Sequence, residues 1–392
     1  MKILFVRTYS PHCILYGSEM RARYFVDYLR SKGEVDLLTL TKSTDEQVDK
    51  NYIKEHFRKH FYFDQEGQHI RLTRAEKFLH LLPWQITEHY AKDFQKTLSL
   101  IIEENQYDLI FVFKFDPVFY FLQLPEKWRE KVIIDIDDVF SDLYMNYHKK
   151  SFTSFKNRYS LKLIELKAIT QFKRAFVCSQ DAISKIHPYF RHKISVVPNI
   201  FQSDRRNFLP AAKDRSRLLY VGSLDYFPNI EGLKWFFEFI WPDFKKTYPD
   251  VKLTVIGKYP KDKRHILTIL NHPRDIEIEI NVLDVKPYYQ DSFAVIVPLL
   301  NASGTRLKIL ESASYGRPVI TTPKGVEGLD FEDKKNIFLF KNTSSFTEAY
   351  QNLFEGKRYS QVIEDAWQIL KENYSHETFS SQMNKNWELI EL

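Results

Sequence analysis

Short apolar runs alternate with longer mixed segments along the whole chain. The runs at 2–7, 35–41, 107–113, 132–135, 175–179 and 194–197 read as strands, and the longest apolar stretches, such as 109–113 and 293–300, look buried on both faces. Between them, apolar positions recur at helical spacing. The first such segment opens at Gly17-Ser-Glu-Met-Arg21, continues to Ser31 and stops at Gly33. Residues 42–106 read as mostly helical, residues 159–174 as a long amphipathic helix, and Ser179 as the start of another helix. Residues 200–216 are polar, charged and proline-containing, which predicts a linker. The pattern then restarts. Strands are expected at 217–221, 251–256, 276–282, 293–297, 319–322 and 337–340. Helices are expected at 230–246, from Lys286, and at 305–315, 343–354 and 361–391. Strands separated by helices predict parallel sheets in two successive α/β domains.

Composition narrows this picture. A chain of 392 residues suits two domains of about 200 residues each better than one core. With 44% hydrophobic and 28% charged residues it reads as folded, and 16% aromatic residues predict cores rich in Phe and Tyr. A net charge of +6 permits an anionic ligand or a membrane surface without demanding nucleic acid. The basic residues are scattered and match no nucleic-acid-binding module. Two cysteines, Cys13 and Cys178, make no disulfide framework, which points to a reducing compartment. Arg7 interrupts the N-terminal apolar run too early for a secretory signal, and no run is long enough to span a bilayer. A cytosolic protein is expected.

The stretch from Val297 to Gly328 concentrates candidate chemistry. A strand is stopped by Pro298, and a short loop (Asn301, Ala302, Ser303, Gly304) leads to a helix expected from Thr305 to Tyr315. Gly316 and Pro318 end that helix, and a second strand runs into Gly325-Val-Glu-Gly328. A glycine, a hydroxyl and two cations (Gly304, Thr305, Arg306, Lys308) at a helix start suit an anion, at the carboxyl edge of a sheet where α/β folds place ligands. Gly17 has two readings: close approach of a ligand at a helix start, or an ordinary helix start. No G-x-G-x-x-G follows the first strand, which argues against a dinucleotide redox enzyme. Asp135-Ile-Asp137 matches a bare D-x-D metal pattern, but loop structure and capping are the preferred role of these carboxylates. Residues 71–84 mix basic residues with Leu, Phe and Trp. They read either as an interfacial segment on anionic lipid or, preferably, as an ordinary helix with solvated charges.

Five segments together resemble the GT-B glycosyltransferases of glycosyltransferase family 4, especially a bacterial subgroup with a G-T-R-L-K-I-L-E block. They are Gly17–Arg21, Ile134–Val139, Val197-Pro-Asn199, Leu219–Leu233, and Gly304–Glu311 with Gly316–Val319 and Gly325–Gly328. The resemblance implies two Rossmann-like domains facing across a cleft, with a C-terminal helix crossing back to the first. It sets an acceptor-binding domain at 1–202, a linker at 203–216, a nucleotide-sugar-binding domain at 217–370 and the returning helix at 371–392. It further implies a retaining transferase that needs no metal or other cofactor. The donor would be a nucleotide-sugar, UDP before GDP, and the acceptor a glycan or lipid-linked glycan of the bacterial surface. Work at the inner face of the membrane would be peripheral.

Residue roles follow from the same likeness. Glu311 matches the second glutamate of the E-x7-E signature, which accepts hydrogen bonds from the ribose. The first glutamate falls at Ser303, and Ser223 and Asn229 stand near the places of the usual Arg and Lys. Arg306 and Lys308, with the Gly304 and Thr305 amides, are expected to replace those cations at the diphosphate, Arg306 preferred as the planar clamp. Gly222 and Ser223 are expected to line the phosphates, and Gly257 and Lys258 to lie near the base. Lys114 and Asp116 end the strand where family members carry a histidine against the donor sugar, and are the candidates for the reacting centre. Two other readings stay open: a catalytically weak GT-B partner or sugar-binding subunit, and a GT-B epimerase or hydrolase of nucleotide-sugars.

Overall fold

A computed structural model describes residues 1–11, 17–40, 48–63, 92–137, 139, 141, 152–201, 204, 208–210, 214–259, 261–271, 275–301, 306–354 and 358–391. The segment 71–84 and residues Ser303, Gly304 and Thr305 lie outside the described residues. The chain divides into two compact units. One comprises Met1–Val197 with Ser380–Leu392, the other Pro198–Phe379.

In the first unit the apolar runs become a seven-stranded sheet, ordered β3-β2-β1-β4-β5-β6-β7, with every pairing parallel. Its strands are β1 (Lys2–Arg7), β2 (Glu34–Thr39), β3 (His60–Tyr62), β4 (Leu109–Phe113), β5 (Val132–Asp137), β6 (Arg174–Val177) and β7 (Ile194–Val196). Two-residue alternation splits each central strand between two apolar layers. Leu4 and Val6 pack in one core, while Phe5 turns to an aromatic layer containing Phe25, Phe111 and Phe176. The helix Gly17–Lys32 supplies Phe25 to that layer. The last helix, His376–Glu391, places Trp387 edge-on against Tyr28, and Tyr28 Oη donates to Asn384 Oδ1 at 2.8 Å.

The second unit carries a six-stranded parallel sheet ordered β10-β9-β8-β11-β12-β13. The strands are β8 (Arg217–Val221), β9 (Lys252–Gly257), β10 (Ile276–Ile280), β11 (Ala294–Val297), β12 (Val319–Thr321) and β13 (Phe338–Leu339). Apolar clusters cover both faces, one built on Tyr220, Leu253 and Ile296, the other on Leu219, Val295 and Val297. The strand order turns back on itself at β8, between β9 and β11. In open parallel sheets this switch point is where loops part and leave a crevice.

Several expected elements are corrected. Within 42–106, the described residues include an edge strand, His60–Tyr62, paired with β2. The helix expected at 305–315 starts later, spanning Leu307–Ser314 with Arg306 at its N-cap. Its end is as expected, with Gly316 at φ +66°, a conformation side chains disfavour. The single helix expected at 361–391 is two, Tyr359–Asn373 and His376–Glu391, because Ser375 Oγ caps the second by accepting from Thr378 N at 3.2 Å. The helix expected at 230–246 is interrupted by a π-helical turn, Phe236–Ile240. Leu209, inside the expected linker, is buried in the second unit, and its amide donates to Tyr315 O.

Candidate functional site

The second unit's switch point is assembled by close approach. Gly222 follows β8 and Gly257 ends β9. A Cβ on Gly257 would lie 1.9 Å from Gly222 O, so only glycine lets the two strand ends meet. A Cβ on Gly222 would lie 2.6 Å from Lys308 Nζ and 2.9 Å from Tyr220 Oη. The missing side chain is therefore replaced by an ammonium arriving from the helix Leu307–Ser314. Lys308 Nζ donates to Asn229 Oδ1 at 2.9 Å and Tyr220 Oη at 3.1 Å, and lies 4.5 Å from the Tyr220 ring centre. Asn229 is fixed in turn, since its Nδ2 donates to Ser223 O at 2.7 Å.

Glu311 stands one turn further along the same helix and accepts from Tyr289 Oη at 3.0 Å. Tyr289 is fully buried on the helix Lys286–Asp291, so its hydroxyl has a fixed direction. Burial pushes the Glu311 carboxyl up to about 7, although the Tyr289 hydrogen bond and Lys308 favour its charge. Burial pulls the Lys308 ammonium down to about 7, and neighbouring Arg306 adds to that, with Glu311 opposing. Both groups keep part of their surface, so they sit at the rim of the core rather than inside it.

The remaining expected residues of this unit separate. Arg306 is buried. Its Nη1 donates to Glu327 O at 3.3 Å and its Nη2 to Lys324 O at 3.0 Å. The loop after β12 is thereby tied to the helix start. Ser223 Oγ donates to Asp225 in the loop after β8. Lys258 is exposed, while its carbonyl accepts from Leu224 N at 2.8 Å. Three residues the sequence reading gave no role complete the site: Tyr220, Tyr289 and, as an acceptor, Asn229. Tyr220 sits in an apolar run and Tyr289 in a short polar helix, and only the neighbouring ammonium and carboxylate give their hydroxyls a purpose.

The candidates of the first unit sit at the carboxyl edge of its own sheet. Gly17 is the first residue of its helix and half-buried. Lys114 follows β4 at φ +71°, its amide donating to Asp135 O at 2.9 Å. Asp116 is exposed. Arg21 takes both oxygens of the buried Asp135, at 2.6 and 2.8 Å, and donates to Val197 O. Asp137 lies 3.6 Å from the same guanidinium. The D-x-D carboxylates thus face an arginine, and a cation there would have to displace it. Among the described residues no group of three or more His, Cys, Asp or Glu could hold a metal ion. No helix among them is long and apolar enough to cross a membrane.

Open α/β sheets bind ligands at the switch point, where this unit gathers two glycines, a carboxylate and a cation. In comparison with known proteins, residues 215–356 match the model of the family described as glycosyl transferases group 1, and the two sheets match those of GT-B glycosyltransferase structures. A Klebsiella pneumoniae protein named "Uncharacterized 44.6 kDa protein in cps region" is 23% identical over 413 residues, covering 98% of this chain and 100% of that one. Sucrose-phosphate synthase from Thermosynechococcus elongatus has a TM-score of 0.71 at 16% identity, covering 99% of this chain and 98% of that one. Anabaena HepE, solved with UDP and glucose, has a TM-score of 0.64 at 13% identity, covering 99% of each chain.

Proposed function

We propose that the chain is a retaining, metal-independent glycosyltransferase. It moves a sugar from a nucleotide-sugar, UDP-linked before GDP-linked, to a hydroxyl of a glycan or lipid-linked glycan in bacterial surface polysaccharide synthesis. The observation that carries the reading is Glu311, a carboxylate directed by Tyr289 at the switch point of a parallel sheet, inside the segment that matches the transferase family. A carboxylate there accepts from two vicinal hydroxyls at once, as a ribose presents them. Lys308 supplies positive charge beside it for a diphosphate. UDP as donor nucleotide is supported by the GT-B neighbour solved with UDP and glucose. The polysaccharide role is supported by the cps region in the Klebsiella relative's name. Retention and metal independence rest on the family resemblance, in which the leaving diphosphate itself helps deprotonate the acceptor.

The test is a panel of UDP- and GDP-sugars with the full chain in EDTA, followed by proton NMR of the anomeric signal. Donor hydrolysis or transfer that persists in EDTA and keeps the donor's anomeric configuration is expected. Activity that vanishes in EDTA and returns with Mn²⁺ would overturn metal independence, and inversion would overturn retention. One observation favours a second reading, a catalytically weak partner subunit. Ser303, Ser223 and Asn229 stand where the resembled motifs carry a glutamate and two cations. Tight nucleotide binding without any turnover would support it.

A further inference from the structure

We propose that Lys308 is the cation through which this chain grips the donor's diphosphate and that Arg306 is a strut of the fold. The inference rests on the donor reading above and adds which residue holds the charge and how that charge responds to pH.

The partners of Lys308 are all neutral: Asn229 Oδ1, Tyr220 Oη and the face of the Tyr220 ring. No carboxylate among the described residues forms an ion pair with it, and Glu311 acts on it only through space. An ammonium drawn out of water is costly unless a counter-charge meets it. Its location shows where that counter-charge would come from. The ammonium lies over Gly222, at the strand end where the sheet order reverses, and any side chain on Gly222 would collide with it. The neighbouring cations have other work. Arg306 spends its Nη groups on the carbonyls of Lys324 and Glu327. Lys324 pairs with Glu327 at 2.5 Å.

The proton linkage follows from the same geometry. Tyr220 faces Lys308 from β8 and Asn229 from the helix Phe227–Trp235. Arg306 and Glu311 flank it on its own segment, and Tyr289 backs Glu311 from the helix Lys286–Asp291. Burial pulls Lys308 down to about 7, so its neutral form gains weight as pH rises past that value. A bound diphosphate raises it again, and a proton enters with the ligand. Affinity therefore falls as pH rises from about 7. Glu311 has the opposite sign, since ribose hydroxyls favour its ionised form and binding there releases a proton below about 7. Measurements above pH 7.5 isolate Lys308, because a phosphate's own second ionisation lies near 6.

The experiment is titration calorimetry of the full chain with UDP, GDP and uridine at pH 7.5 and 8.5, each in two buffers of different ionisation heat. UDP affinity should fall by up to about tenfold over that unit, with proton uptake of up to about one per site. Lys308→Met should weaken UDP at least tenfold at pH 7.5, abolish the pH dependence and the proton uptake, and leave uridine binding as in the parent. Asn229→Ala, which removes the ammonium's acceptor, should shift UDP binding the same way. UDP binding by Lys308→Met equal to the parent, or a flat pH profile without proton uptake in the parent, would overturn the proposal. If neither variant folds, the parent's proton count decides alone. A parent that binds none of the three ligands would overturn the donor reading itself, a result distinct from binding without linkage.

Discussion

Glu311 and Lys308 show how a binding site costs stability. Free of ligand, Glu311 has a folded pKa of about 7, raised by burial above the ordinary 4.5. A raised carboxyl contributes its stability below the unfolded value and loses it as pH climbs through the folded one. Near pH 8 the ionised Glu311 therefore opposes folding. Lys308, lowered to about 7 from 10.5, opposes folding increasingly as pH falls from about 10 toward 7. Glu311→Gln keeps an acceptor for Tyr289 Oη and removes the charge. At pH 8 this substitution should raise the melting temperature of the ligand-free chain by a few degrees, about 1–3 kcal/mol, and the gain should vanish near pH 4.5. The same substitution should weaken UDP by roughly tenfold or more, because a neutral amide accepts less strongly from two ribose hydroxyls. Thermal denaturation across pH, with and without UDP, checks both halves. A Glu311→Gln chain less stable than the parent at pH 8 would show that the carboxylate is a structural anchor.

At the scale of elements, the two glycines at the strand ends should answer differently to the same added methyl group. On Gly257 the new Cβ meets the backbone oxygen of Gly222 at 1.9 Å, and two paired strands would have to part. Gly257→Ala should cost about 1–3 kcal/mol of stability, visible as a lower midpoint in urea. On Gly222 the nearest atom is Lys308 Nζ, the end of a flexible side chain. Gly222→Ala should fold nearly as well and lose UDP affinity, because the ammonium is pushed off its place. Equal stability losses in both variants would contradict this. The elements themselves were largely legible, since parallel strands buried on both faces announce themselves as apolar runs. What escaped has local causes. The strand His60–Tyr62 is a three-residue edge strand, too short for a strand periodicity to be read. The break at Tyr374–Ser375 is written in one capping hydroxyl, not in a Gly or Pro. Glu311 was legible as a candidate through its spacing in a motif. The roles of Tyr289 and Asn229 were not, because each depends on a residue many positions away. The carbonyl acceptors of Arg306 were hidden for a related reason: they lie in a later loop.

For the whole molecule, the division into two units sets how ligand binding should be read. The first unit is closed by the last stretch of the chain, with Met383, Trp387 and Ile390 buried, so its core joins the two ends of the sequence. The second unit, Pro198–Phe379, has its own apolar layers and holds Gly222, Lys308 and Glu311. A chain with two cores need not melt in one step, and a ligand stabilises only what it binds. UDP at a hundredfold its dissociation constant adds about 2.7 kcal/mol to the unit that holds it. For a unit of this size that is roughly 5–10 °C. Scanning calorimetry with UDP should therefore move one transition upward, and amide hydrogen exchange should identify it. Protection should rise in β8, β11 and the helix Leu307–Ser314, because those elements carry the glycine, the switch-point loop and both charged groups. Protection confined to the first unit's sheet would place the nucleotide on the wrong domain and remove Glu311 and Lys308 from the site together. Protection of the second unit by UDP but not by uridine would show that the diphosphate, and so the cation beneath it, supplies most of the grip.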